Sequence, residues 1–113
     1  MKLKSLAFFI STIFFAFLAL TVQTHAQTKQ DQVTIFDAPG ASGGTFPRSI
    51  NSRGEVTGYY FASNRYHGFV RDSDGTITTF DASAGATMPV NINPGGEITG
   101  SYQNASGLHG FVR

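Results

Sequence analysis

The sequence predicts an all-β fold: two tandem repeats of about 42 residues, each a four-stranded antiparallel β-meander of the β-propeller-blade type, behind an N-terminal signal peptide. Three observations carry this reading. Residues 47–71 return as residues 89–113 at a constant offset of 42, with 13 of the 25 positions identical, which chance does not produce. Segments inside each copy alternate apolar and polar residues with period two and are separated by Gly-, Pro-, Asn- and Asp-rich turns. Beyond residue 26 no stretch shows the 3.6-residue period of an amphipathic helix.

The N-terminal segment reads as an address. Met1-Lys2-Leu3-Lys4 is basic, and the 15 residues from Leu6 to Leu20 are apolar apart from Ser11 and Thr12. A polar stretch then ends in Thr24-His25-Ala26. Basic, apolar, then a small residue at the exit is the order of a secretory signal peptide, and it places cleavage after Ala26. A spanning helix needs about 20 apolar residues, and this run is shorter, which disfavours an uncleaved anchor. Secretion or release into a periplasm is the expectation, with no membrane attachment after cleavage.

Residues 27–113 carry six Lys+Arg and seven Asp+Glu, a net charge of −1, and all 13 Gly. A near-neutral chain lacks the basic footprint that nucleic acid demands. With no Cys, disulfide scaffolds, thiolate zinc sites and thiol nucleophiles are excluded. Residues 27–32 form a polar leader and 33–113 the β-repeat domain, with repeat 1 over about 37–80 and repeat 2 over about 81–113.

The strands follow in order. Val33-Thr34-Ile35-Phe36 matches Ile77-Thr78-Thr79-Phe80 at an offset of 44, so it opens the domain as a last strand that would complete the final blade. A short strand at Ser49–Asn51 leads through the turn Ser52-Arg53-Gly54 into Glu55–Tyr60, where Val56, Gly58 and Tyr60 share one face. Tyr66–Arg71 places His67, Phe69 and Arg71 on one side; Asp72-Ser73-Asp74-Gly75 then turns the chain into Thr76–Phe80. The second copy repeats the pattern to Leu108–Arg113, with His109, Phe111 and Arg113 in the matching places. Gly58 and Gly100, mid-strand, would admit a neighbouring blade because they carry no side chain. Two blades cannot close a ring, since propellers use about four to eight. Unpaired strand edges would then invite self-association, or mark the chain as a truncated piece of a longer array.

Ser49-Ile50-Asn51, Gly54-Glu55-Val56-Thr57-Gly58-Tyr59-Tyr60, His67-Gly68-Phe69-Val70-Arg71 and Ile77-Thr78-Thr79-Phe80-Asp81-Ala82 together resemble the extracellular repeats of the HAF family. The resemblance covers residues 33–113. Gly68 and Gly110 replace the Ala of the name-giving triplet, which marks a divergent variant. The resemblance implies an exported, β-rich, propeller-like repeat protein of bacterial origin and carries over no catalytic residue.

Candidate chemistry is thin. His67 and His109 are the only His beyond residue 26; as repeated residues beside Phe69 and Phe111 they read as structural, bonding a backbone group or turn. Asp72 and Asp74 hint at calcium, but such a loop needs six or more oxygens, and turn chemistry explains them. Asp37 and Asp81 read as caps of the turns they enter. Glu55 and Glu97 occupy matching positions, whereas paired catalytic carboxylates need different environments; they read as solvated residues at strand starts. No nucleophile elbow, zinc-protease, phosphate-loop or dinucleotide motif occurs. No catalytic residue, metal ligand or cofactor is assigned. The best binding signal is aromatic: Tyr59, Phe61 and Tyr66, with Asn64 and Arg65 as polar neighbours, would suit a carbohydrate or protein ligand. The function expected is a non-catalytic binding or cell-surface structural module, with an oligomeric propeller lectin as the alternative.

Overall fold

A computed structural model describes residues 31–113. The expected signal peptide, residues 1–26, and the first part of the polar leader lie outside the described residues. Seven strands follow in chain order: β1 (Thr45–Ile50), β2 (Val56–Ala62), β3 (Arg65–Arg71), β4 (Ile77–Phe80), β5 (Thr87–Ile92), β6 (Ile98–Asn104) and β7 (Gly107–Val112). They form two antiparallel meanders, a four-stranded sheet in the order β1-β2-β3-β4 and a three-stranded sheet in the order β5-β6-β7. The described residues contain no helix and no closed barrel or propeller.

Both sheets share one register. Thr45 lies opposite Tyr60 and Thr87 opposite Tyr102, and both first strands slip at the same place, between Pro47 and Ser49 and between Pro89 and Asn91. Proline explains the site of each bulge. It has no N–H for the ladder and is tolerated where pairing is interrupted on an edge strand. The β2–β3 hairpin turns on Ser63 and Asn64, both at positive φ (51° and 64°), as a two-residue hairpin loop with matching twist requires.

Three expectations need correction. Residues 33–36 form no strand: their composition suits one, but among the described residues no strand lies beside them to complete a ladder. The first strand runs from Thr45 rather than Ser49, because the bulge hides its alternation. Gly58 and Gly100 do not make room for a neighbouring sheet. A Cβ at Gly58 would collide with the Phe46 carbonyl oxygen and Pro47 of the bulged strand beside it, and one at Gly100 would meet Met88 and Pro89. The close approach of the second sheet falls instead at Gly68, where a Cβ would sit 2.8 Å from the Phe80 ring and 3.0 Å from Pro89.

Two cores result. On one face of the first sheet, Tyr60 and Phe69 bury against Ala38, with Phe36, Ala41, Val56 and Ile77 around them. On its other face Val70 packs with Ile92 and Ile98 of the second sheet, flanked by Phe80 and Phe111. Hydrogen bonds fasten this sheet-to-sheet contact at positions 42 residues apart: Ser49 Oγ donates to Asn91 Oδ1 (2.8 Å) and Asn51 Nδ2 to the Asn93 carbonyl (3.0 Å).

Candidate functional site

The aromatic residues singled out in the sequence do come together. In β2 and β3, Tyr59 and Phe61 alternate onto one face, and the antiparallel register sets Phe61 opposite Tyr66. Tyr66 meets Tyr59 edge-on with ring centroids 5.2 Å apart, and Phe61 likewise at 5.2 Å. Phe46 of β1 joins them, stacked on Tyr59 at 5.4 Å and edge-on to Tyr66 at 6.2 Å. Offset and edge-on contacts are the geometries that the ring quadrupole favours. Phe46 keeps 39% of its surface exposed, and the three others are half-buried. The result is a four-ring surface at one end of the first sheet, with apolar faces and two phenolic hydroxyls.

The polar residues expected beside them go elsewhere. Asn64 is exposed at the hairpin tip in left-handed backbone geometry. Arg65 turns toward the loop between the sheets. Its Nη1 donates to the carbonyls of Ser83 (3.2 Å) and Gly85 (2.9 Å), and its Nη2 pairs with Asp81 Oδ2 at 3.1 Å. Arg65 therefore ties the connection 81–86 to β3.

His67 is held on the opposite face of the hairpin from Tyr66. Its ring stacks on Tyr60 at 5.2 Å, Nδ1 lies 2.8 Å from Asp81 Oδ1, and Nε2 lies 3.0 Å from the Ala62 carbonyl. Both partners are acceptors, so the ring donates to both only when both nitrogens carry a proton. His109 stacks on Tyr102 at 5.3 Å, and its Nε2 lies within 3.1 Å of Asn104 Oδ1 and 3.0 Å of Ser106 Oγ. Each His braces its own hairpin. Asp81 was read as a turn cap, but its two oxygens hold His67 and Arg65 instead. Phe69 and Phe111 each receive the edge of a preceding ring, Phe36 at 5.9 Å and Phe80 at 6.0 Å. Arg71 lies 5.2 Å over Phe36 and Arg113 lies 4.7 Å over Phe80, cation–π contacts that clamp each sheet to the segment before it.

The carboxylates organise turns. Glu55 accepts from Asn51 Nδ2 at 2.8 Å and from Arg53 at 2.7 Å. The Asn51 amide first, and then Arg53, holds its carboxyl below the ordinary value. Glu97 accepts from Asn93 Nδ2 at 2.9 Å. Glu55 is thus a bonded turn residue rather than a merely solvated one. Asp74 accepts the Thr76 N–H at 2.9 Å, and this hydrogen bond lowers its pKa. Among the described residues no three His, Asp or Glu side chains are placed to share a metal ion.

Sequence reasoning missed Phe46. Phe46 lies just before the repeated segment and next to a proline, and the matching place 42 residues on is Met88. Its only signal was an aromatic three residues before the short strand expected at Ser49–Asn51. No protein-family model, no curated protein and no solved structure matches the chain.

Proposed function

We propose that this chain is an exported, non-catalytic β-repeat protein, a binding or cell-surface structural module of the kind that the HAF-type repeats represent, with its two sheets as successive propeller-like units. The carrying observation is the fate of the repeated polar residues. His67, His109, Glu55, Glu97 and Asp81 each hold a hairpin, a turn or the connection between sheets. A general base or nucleophile needs a partner aimed at an open cleft, and these side chains are aimed at their own scaffold. The basic, apolar and small-residue order of residues 1–26 supports export. The test is mass spectrometry of the protein recovered from outside the cytoplasm, together with a hydrolase substrate panel. The expected results are a new N terminus at Gln27 and no turnover. A retained Met1, or a turnover lost in His67→Ala, would overturn the reading.

The four-ring surface favours a second reading, a lectin. Apolar ring faces beside hydroxyl groups suit the C–H faces of a sugar. A glycan array probed with the protein and with Tyr66→Ala tests it: a glycan bound by the parent and lost in the variant supports the reading, and a blank array refutes it.

A further inference from the structure

The contact between the two sheets is directional, and each of its halves is present once more, uncovered. The first sheet offers Val70 to Ile92 and Ile98, which leaves them 9%, 5% and 0% exposed. Forty-two residues on, Val112 occupies the place of Val70 on the far face of the second sheet and is 75% exposed. Forty-two residues back, Ile50 occupies the place of Ile92 on the face of the first sheet turned away from the second and is 68% exposed. Concave surfaces lie at both places, one lined by Asn91, Asn93, Ile98 and Val112, the other by Phe36, Ser49, Ile50 and Val56. Polar partners match as well: Ser49 and Asn51 bond Asn91 and Asn93 inside the chain.

A segment without a ladder partner matches in the same sense. Phe36 meets Phe69 and Arg71 as Phe80 meets Phe111 and Arg113. The Ala38 N–H donates to Thr45 Oγ1 at 3.0 Å, and the Ala82 N–H donates to Thr87 Oγ1 at 3.0 Å. Residues 34–36 therefore reach the first sheet along the line that β4 takes into the second. Yet β4 pairs with β3, Gly68 opposite Phe80 and Val70 opposite Thr78, while residues 34–36 pair with nothing among the described residues. Among the described residues the outer edge of β7, the counterpart of β3, is also unpaired.

We propose that Thr34–Phe36 of one copy adds to the outer edge of β7 of a second copy as its fourth, antiparallel strand. Phe36 lies opposite Gly110 and Thr34 opposite Val112, and Val112 packs on Ile50 and Val56 of the incoming copy. The inference rests on reading the two sheets as successive units of one stack. The pairing is between copies: Phe36 is anchored on the face of the first sheet turned away from the second. Stacked sheets lie about 10 Å apart, and the two residues from Phe36 to Thr34 span about 7 Å, too little to reach the chain's own β7. A head-to-tail interface of this kind closes into a ring or extends as a filament.

The chain has no Cys, so engineered pairs report the register cleanly. In Thr34→Cys/Val112→Cys the thiols face each other across the joint. In Thr34→Cys/Leu108→Cys the second thiol is about 13 Å away along the same strand, at a residue of similar exposure (66%). Under mild oxidation the first pair is expected to give a reducible ladder of two, three and more chains, and the second to remain monomeric on the gel. Equal cross-linking in both, or none in either, would overturn the proposal. All four positions are exposed, and Ile50→Cys/Val112→Cys serves as a second in-register pair should the first variant fail to fold. A chain exported and inactive but without the in-register ladder refutes the joint and leaves the proposed function standing; the ladder in a chain that turns over substrate does the reverse.

Discussion

Asp81 connects the site residues at the smallest scale. One oxygen takes His67 and the other Arg65, so Asp81→Ala strands two donors at once. With its side chain 36% exposed, solvent screens part of the loss, and about 1–2 kcal/mol of stability should disappear. Chemical denaturation measures it, and a cycle with His67→Ala should be non-additive because the two share one hydrogen bond. Glu55 supplies a pH-dependent prediction. Its folded pKa lies below the ordinary 4.5 because Asn51 and Arg53 bond the ionised form. Its stabilising contribution is therefore complete above that value and is lost as pH falls through the folded pKa. Denaturant midpoints followed from about pH 7 to about pH 3 should fall more steeply in the parent than in Glu55→Gln; identical slopes would contradict the assignment.

At the scale of elements, the hairpins were legible and the edges were not. Glu55–Tyr60 and Tyr66–Arg71 alternate cleanly, and the faces read from that alternation agree with Tyr60 and Phe69 in one core and Val70 in the other. What escaped was everything whose cause lies in a neighbour. Thr45-Phe46-Pro47-Arg48 does not read as a strand because its proline and bulge break the period. Val33–Phe36 reads as one but has no partner ladder among the described residues, and composition cannot report a missing neighbour. Gly58 was legible as a close approach and misread as to which backbone approaches. Gly58→Ala should accordingly cost about 1–3 kcal/mol by overpacking, because the Phe46 carbonyl and Pro47 backbone cannot swing aside as a side chain can. The check is a thermal melt against Gly107→Ala, whose Cβ meets nothing within 4 Å and whose cost is confined to its positive φ.

At the scale of the whole molecule, the candidate site was partly legible: Tyr59, Phe61 and Tyr66 converge, whereas Arg65 is drawn away by Asp81 and the carbonyls of the connecting loop. That diversion depends on a contact between residues 16 apart, invisible to local pattern. Stability of the whole depends on thin cores. Phe69 is fully buried at the junction of Phe36, Ala38 and Tyr60, so Phe69→Ala should cost about 3–5 kcal/mol and take the first sheet with it, as circular dichroism would report. The second sheet has its near face covered by the first, while Leu108 and Val112 on its far face stand open, as does Ile50 at the other end of the stack. The central claim is that these two ends are halves of one interface. The most direct measurement is the molar mass of the purified protein by light scattering over a range of concentrations. The account predicts species of two or more chains that shift toward monomer in Val112→Asp with the fold retained. A folded protein that stays monomeric at every concentration would contradict it.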